Sequence, residues 1–148
     1  MRTLILTLIG SAAALAIAAP LAAAPSSARA AASVTVRASS YGRILFDGRG
    51  FVLYAFTADS RGQSNCSGAC ATAWPPYIVK RSAVAAMGTG KSLLGVAKRR
   101  DGSLQLTYAG RPLYYYVGDR KAGQILCQNV SEFGGRWLVL RRSGALVR

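Results

Sequence analysis

Nine side chains carry most of the chemistry open to this sequence: Tyr54, Phe56 and Asp59, then Tyr114, Tyr116 and Asp119, and the cysteines Cys66, Cys70 and Cys127. Each aromatic pair can bury a large ring area and put a phenol hydroxyl at its boundary. Three cysteines can give one disulfide and one thiol, or cycle between the two states. The spacing matters as much as the types. Leu53 to Asp59 returns sixty positions later as Leu113 to Asp119, and Gly50 and Gly110 precede the two copies at the same offset. Gly62-Gln63 with Cys66 follows the first copy and Gly123-Gln124 with Cys127 the second; Trp74 and Trp137 close them. Such repetition marks one module used twice.

Alternate residues of an extended segment face opposite ways, so Tyr54 and Phe56 share one face, as do Tyr114 and Tyr116, while Leu53 and Ala55 take the other. The favoured role for the ring pairs is core packing. Asp59 and Asp119 leave their strands into glycine-rich loops, where a carboxylate most often accepts from nearby backbone amides and shapes the turn. Other chemistry is thinly supplied. There is no histidine, which removes the commonest metal ligand and the usual general base. Five acids, Asp47, Asp59, Asp101, Asp119 and Glu132, are dispersed and suggest no calcium cage. No nucleophile elbow, phosphate loop or methionine-rich copper site is visible. The sequence calls for no catalytic residue, metal or cofactor.

The elements that must position these residues read as strands. Arg43–Phe46 faces Phe51–Phe56 across Asp47-Gly48-Arg49-Gly50, with Asp-Gly expected to supply the positive-φ residues of a hairpin turn. Trp74-Pro75-Pro76 leads extended chain into a short edge strand, Tyr77–Val79. Ser82–Met87 has the composition of one helical turn. Leu93–Ala97 and Leu104–Tyr108 flank Asp101-Gly102, and a further turn at Ala109–Pro112 leads into Leu113–Val117. A last hairpin joins Arg136–Arg141 to Ala145–Arg148 around Ser143-Gly144. No stretch sustains the period of a long helix. The expected fold class is all-β, with antiparallel hairpins arranged as two related repeats in a single compact domain. Residues 31–41 are a lead-in containing strand-like Val34–Val36, and 42–148 form the β domain, with repeats at about 42–80 and about 93–141.

Taken together these motifs carry a family resemblance. Tyr54-x-Phe56-x-x-Asp59 and Tyr114-x-Tyr116-x-x-Asp119 resemble the tyrosine-x-aromatic-x-x-aspartate motif of a bacterial secreted repeat family of unknown function that includes predicted lipoproteins. Cys66-x-x-x-Cys70-x-x-x-Trp74-Pro75-Pro76 is similar to the stretch after its first motif. Asp101-Gly102, Tyr108-x-Gly110-x-Pro112-Leu113-Tyr114 and Gly134-Gly135-x-Trp137 are similar to its second half. The resemblance implies an exported β-rich protein in two repeats and no particular reaction, cofactor or substrate. Two departures stand out. No cysteine precedes Cys66, so the lipid-anchoring site found in many members is missing, and Cys127 is an addition to the usual second repeat.

Residues 1–30 read as a signal peptide: Arg2, an apolar run from Leu4 to Ala19, Pro20, and the small-x-small sequence Ala28-Arg29-Ala30. Cleavage is expected between Ala30 and Ala31, with cleavage after Ala32 or an uncleaved anchor as alternatives. Processing there removes two arginines and no acid, lowering the formal charge from +14 to +12 on 118 residues. Export favours oxidised cysteines. The four-residue spacing with Ser67-Gly68-Ala69 between allows a Cys66–Cys70 disulfide that leaves Cys127 free. Pairing of either cysteine with Cys127 would instead link the loops of the two repeats. A charge so far from zero favours anionic partners, either a cell-envelope polymer or a membrane surface. Nucleic acid is disfavoured, because aromatic and basic residues are not interleaved as a strand-binding groove requires. The leading functional reading is non-enzymatic binding or structural support outside the membrane. An extracytoplasmic thiol–disulfide protein using the three cysteines is one alternative, and a basic protein binding anionic polymers is another.

Overall fold

The central segments Ile44–Phe46 and Val52–Phe56 are apolar on both faces, and the burial follows. In the computed structural model, which describes residues 33–80 and 93–148, Ile44, Leu45, Phe46 and the run Val52–Phe56 are all buried. β1 (Val34–Ser39) pairs antiparallel along its full length with β2 (Gly42–Asp47), so part of the expected lead-in belongs to the fold. Val52 bridges to Phe46, and β3 (Tyr54–Phe56) then pairs with β9 (Gly135–Val139). In the second half β5 (Leu94–Lys98) and β6 (Leu104–Tyr108) form the hairpin, and β7 (Arg111–Pro112) turns back onto β6. β4 (Ile78–Val79) adds to β6 from outside, and β8 (Val130–Glu132) adds to β9. The fold is all-β with antiparallel sheets, and the single short helix among the described residues, α1 (Ala69–Ala73), lies in the loop after the first motif. Among the described residues no helix is long and apolar enough to cross a membrane. The signal peptide expected at residues 1–30, its cleavage site at Ala30 and Ala31, and the helical turn expected at Ser82–Met87 lie outside the described residues.

The two halves obey one hydrogen-bond plan. The Leu53 amide donates to Leu45 O at 3.1 Å, and the Leu113 amide to Leu106 O at 3.0 Å. The Leu45 amide donates to Leu140 O at 2.9 Å, and the Leu106 amide to Tyr77 O at 2.8 Å. The second pair shows that each half is completed by a strand from the other. Leu140 comes from the end of the second repeat, and Tyr77 from the end of the first. Alternation then sorts the side chains into two cores. Leu45, Leu53, Ala55, Leu106, Leu113 and Leu140 form an aliphatic core on one side. Ile44, Phe46, Tyr54, Phe56, Tyr114, both tryptophans and the disulfide form an aromatic core on the other. Each core draws on both halves, so neither half buries its apolar surface alone.

The turns differ from expectation in two respects. Asp47-Gly48 does not supply positive φ; Gly50 does, at 94°. The Asp47 amide bonds to Phe51 O at 2.8 Å and the Gly50 amide to Asp47 O at 3.0 Å, so the loop holds the three residues 48–50 and Asp47 belongs to the strand. A three-residue hairpin needs its left-handed residue last. Gly102 and Gly144 serve the same way in later hairpins, at φ 82° and 83°. Asp47 is freed to cap the turn: its Oδ1 accepts the amides of Arg49 and Phe51, both at 2.9 Å. The β8–β9 hairpin was not anticipated, because its Phe133-Gly134 turn places a phenylalanine at φ 55° and lacks the usual turn dipeptide.

Gly135 tests the packing between the halves. A Cβ there would sit 2.5 Å from Phe56 Cε2 and 3.0 Å from the Ala58 nitrogen. Gly135→Ala is expected to destabilise by about 1–3 kcal/mol through overpacking. Denaturant unfolding checks it, with an unchanged midpoint counting against so tight a seam.

Candidate functional site

The repeated motif meets itself at the centre of the molecule. Tyr54 and Tyr114, sixty positions apart and equivalent in the repeat, form an antiparallel bridge with each other. The Tyr54 amide donates to Tyr114 O and the Tyr114 amide to Tyr54 O, both at 2.9 Å. A pairing of equivalent residues of this kind lies on a local two-fold axis. The side chains follow it in crossed fashion. The Tyr54 hydroxyl donates to Asp119 Oδ2 at 2.8 Å, and the Tyr114 hydroxyl to Asp59 Oδ2 at 2.6 Å. Each tyrosine is thus held by the aspartate of the other repeat.

The aspartates are fixed on their second oxygen as well. Asp59 Oδ1 accepts the Asn65 amide at 2.7 Å, and Asp119 Oδ1 accepts the Leu126 amide at 3.0 Å. The expected turn-shaping role is therefore present, and the bond to the distant tyrosine is added to it. Burial pushes both carboxyls above the ordinary aspartate range, against the pull of these hydrogen bonds. Burial first, and then the aspartate bond, raises Tyr54 and Tyr114 well above the usual phenol range. At neutral pH both phenols hold their protons and act as donors.

The rings obey the same axis. Trp74 and Trp137 stack face to face, with centroids 4.0 Å apart and planes 1° apart. Phe56 stacks on the outer side of Trp137 at 4.2 Å, and Tyr116 lies against Trp74 at 4.8 Å. Tyr54 meets Trp74 edge-on at 5.2 Å, and Tyr114 meets Trp137 edge-on at 5.1 Å. All six rings serve the seam between the halves. The Trp74 indole donates to Glu132 Oε2 at 2.9 Å, whereas the buried Trp137 indole nitrogen has no hydrogen-bond partner among the described residues.

Cys66 and Cys70 are joined as a disulfide across α1, their Cα atoms 5.3 Å apart, and Cys127 is a free, half-buried thiol. Burial raises the Cys127 thiol, partly offset by a hydrogen bond from the Tyr116 hydroxyl. A reactive thiolate needs the opposite shift.

Four polar residues near the seam, Ser64, Arg99, Gln105 and Asp47, are not among the candidate site residues read from sequence. Arg99 Nη1 donates to Ser64 Oγ at 2.8 Å and to Gln105 Oε1 at 2.6 Å, and its Nη2 donates to Cys66 O at 2.7 Å. Asp47 is buried; its Oδ2 accepts from Arg49 Nε at 2.9 Å and from the Tyr115 hydroxyl at 3.1 Å. Only the alternation of β6, which turns Gln105 inward, hinted at any of this. No group of three or more histidine, cysteine or acidic side chains suited to a metal occurs among the described residues.

Comparison with protein families matches two segments of the chain, 35–77 and 95–141, to a family described as a secreted repeat of unknown function. The matches cover more than half of the chain, and it belongs to that family. Comparison with curated proteins and with solved structures gives no match.

Two measurements test this geometry. Tyr54→Phe and Asp119→Asn should each destabilise by about 1–3 kcal/mol, since each leaves a buried polar partner unsatisfied. A double-mutant cycle should show coupling between Tyr54 and Asp119 and little between Tyr54 and Asp59; the reverse pattern would refute the crossed arrangement. The raised carboxyls also fix a pH dependence. A folded-state value above the unfolded one makes the contribution of Asp59 and Asp119 fullest below the unfolded aspartate value. It is lost as pH rises through their folded values. Thermal melts from pH 3 upward should therefore slope less steeply in the Asp59→Asn, Asp119→Asn double variant.

Proposed function

We propose that this member of the secreted repeat family is a non-catalytic binding module that works outside the membrane and recognises anionic cell-envelope polymer. The observation that carries the reading is the partition of charge. Asp47 and Asp119 are buried and Asp59 is half-buried, all three committed to internal hydrogen bonds, so only Asp101 and Glu132 are exposed acids. Every described lysine and arginine is exposed except Arg99, whose side chain is only 7% exposed. The surface is consequently more one-signed than the formal charge of +14 conveys. A field of that kind attracts polyanions and weakens as salt screens it.

The fate of the motif supports the same reading. Tyr54, Tyr114, Asp59 and Asp119 satisfy one another across the seam, which makes them framework and leaves recognition to the surface. The thiol–disulfide alternative draws less support, since the Cys127 thiol is shifted away from reactivity.

Co-sedimentation with insoluble anionic and neutral polysaccharides of matched size tests the proposal. Retention on the anionic polymer should exceed that on the neutral one at least about tenfold at low salt and should fall steeply towards 0.5 M salt, where the screening length is a few ångströms. Equal retention on both polymers would refute it.

A further inference from the structure

We propose that the cleft beside the disulfide loop is an oxyanion-binding site, with Arg99 as its buried charge and Arg100 at its rim. It rests on the anionic-ligand reading above and names where one ligand group would seat. The cleft has a volume of about 260 Å³ and is lined by Ser64, Asn65, Gly68, Arg99, Arg100 and Asp101, among others. That space admits a carboxylate or phosphate on a group of monosaccharide size.

The first argument concerns the guanidinium. Its hydrogen-bond acceptors are all neutral: Ser64 Oγ, Gln105 Oε1 and the Cys66 carbonyl. Its Nε has no hydrogen-bond partner among the described residues, and the nearest carboxylate oxygen, Asp101 Oδ2, lies 4.0 Å away. Asp59 reaches it through Tyr114 and Ser64, a chain with links of 2.6, 2.7 and 2.8 Å. A buried charge whose close partners are neutral is costly and is retained where it serves something besides stability.

The second argument is an internal control. The Asn65 and Leu126 amides hold equivalent aspartates, which makes Ser64 equivalent to Ile125. Leu45 and Leu106 are equivalent by their backbone bonds, which makes Gln105 equivalent to Ile44. The hairpin registers, Arg37 with Ile44 and Ala97 with Gln105, then make Arg99 equivalent to Ser39. The second tyrosine–aspartate bond is therefore built with isoleucine, isoleucine and serine at these three positions. The fold does not require the polar cluster, so the cluster answers to something the other half lacks. Among the described residues that half carries no disulfide loop.

Asp101 has a distinct part. It is 66% exposed, and its Oδ1 accepts from the Ser103 amide at 2.9 Å and hydroxyl at 2.6 Å. Its other oxygen stands nearest to Arg99 Nε and competes with an incoming oxyanion.

The test is a titration of the full exported chain with glucuronate, inorganic phosphate and glucose, followed by backbone amide shifts. Saturable shifts confined to Asn65, Ser67, Gly68 and Arg100 are expected with one or both anions and none with glucose. A response to glucuronate alone identifies a sugar acid, and a response to phosphate alone a phosphate group. Arg100→Ala should weaken binding, and Asp101→Asn should tighten it several-fold by removing a like charge. Both residues are exposed, so both variants keep the fold, whereas Arg99→Gln removes three hydrogen bonds and is informative only if its melt is retained. No response in either the native chain or Asp101→Asn overturns the site. Shifts elsewhere, or affinities indifferent to both substitutions, overturn it too. Polymer retention that persists in that case leaves the general surface reading intact, and loss of both refutes the two together.

Discussion

The reciprocal pairing of Tyr54 with Tyr114 is the constraint on which the rest of the structure depends. Two backbone bonds and two crossed hydroxyl–carboxylate bonds tie equivalent points of the two repeats together. Once those strands lie antiparallel on a local two-fold axis, the remaining contacts come in matched pairs. Trp74 and Trp137 must stack, Tyr116 and Phe56 must flank them, and each half must accept its last strand from the other. Burial drives the assembly, since an isolated repeat would expose one face of both cores. The polar bonds select which of several compact pairings is adopted, because a buried carboxylate left without its phenol would be costly.

The same economy shapes the surface. Three of the chain's five acids are spent on turns and on the seam, while nearly all the described cations remain outside. Asp47, Asp59 and Asp119 each accept backbone amides close by in sequence and a tyrosine hydroxyl far away. Local turn formation and long-range closure thus use the same carboxylates. The one-signed external field that results is a by-product of folding.

The repeats have diverged where the axis no longer demands identity. The disulfide loop, Ser64, Arg99 and Gln105 sit on one side, and Ile125, Ile44 and the Cys127 thiol on the other. Both arrangements support the same tyrosine–aspartate bond. A duplicated scaffold therefore shows within one molecule which polar groups the fold needs and which are extra.

Much of this was legible in the residues alone. Period-two alternation separated Tyr54 and Phe56 from Leu53 and Ala55, and the repeat announced two related halves. The Cys66–Cys70 pairing followed from a spacing short enough to bring the sulfurs together. What only the tertiary structure decided was the partner of each tyrosine. Asp59 lies five residues from Tyr54, past the end of the strand at Phe56, where a turn closed by the Asp59 amide on Phe56 O at 3.2 Å places its carboxylate against Tyr114. Antiparallel pairing brings Asp119 into place instead. Arg99 was equally hidden. Within Lys98-Arg99-Arg100 the three residues look alike, and only the register of the β5–β6 hairpin against the disulfide loop turns the middle one inward. Local sequence specifies direction and periodicity, while the identity of a contact across a seam depends on where distant chain is brought to lie.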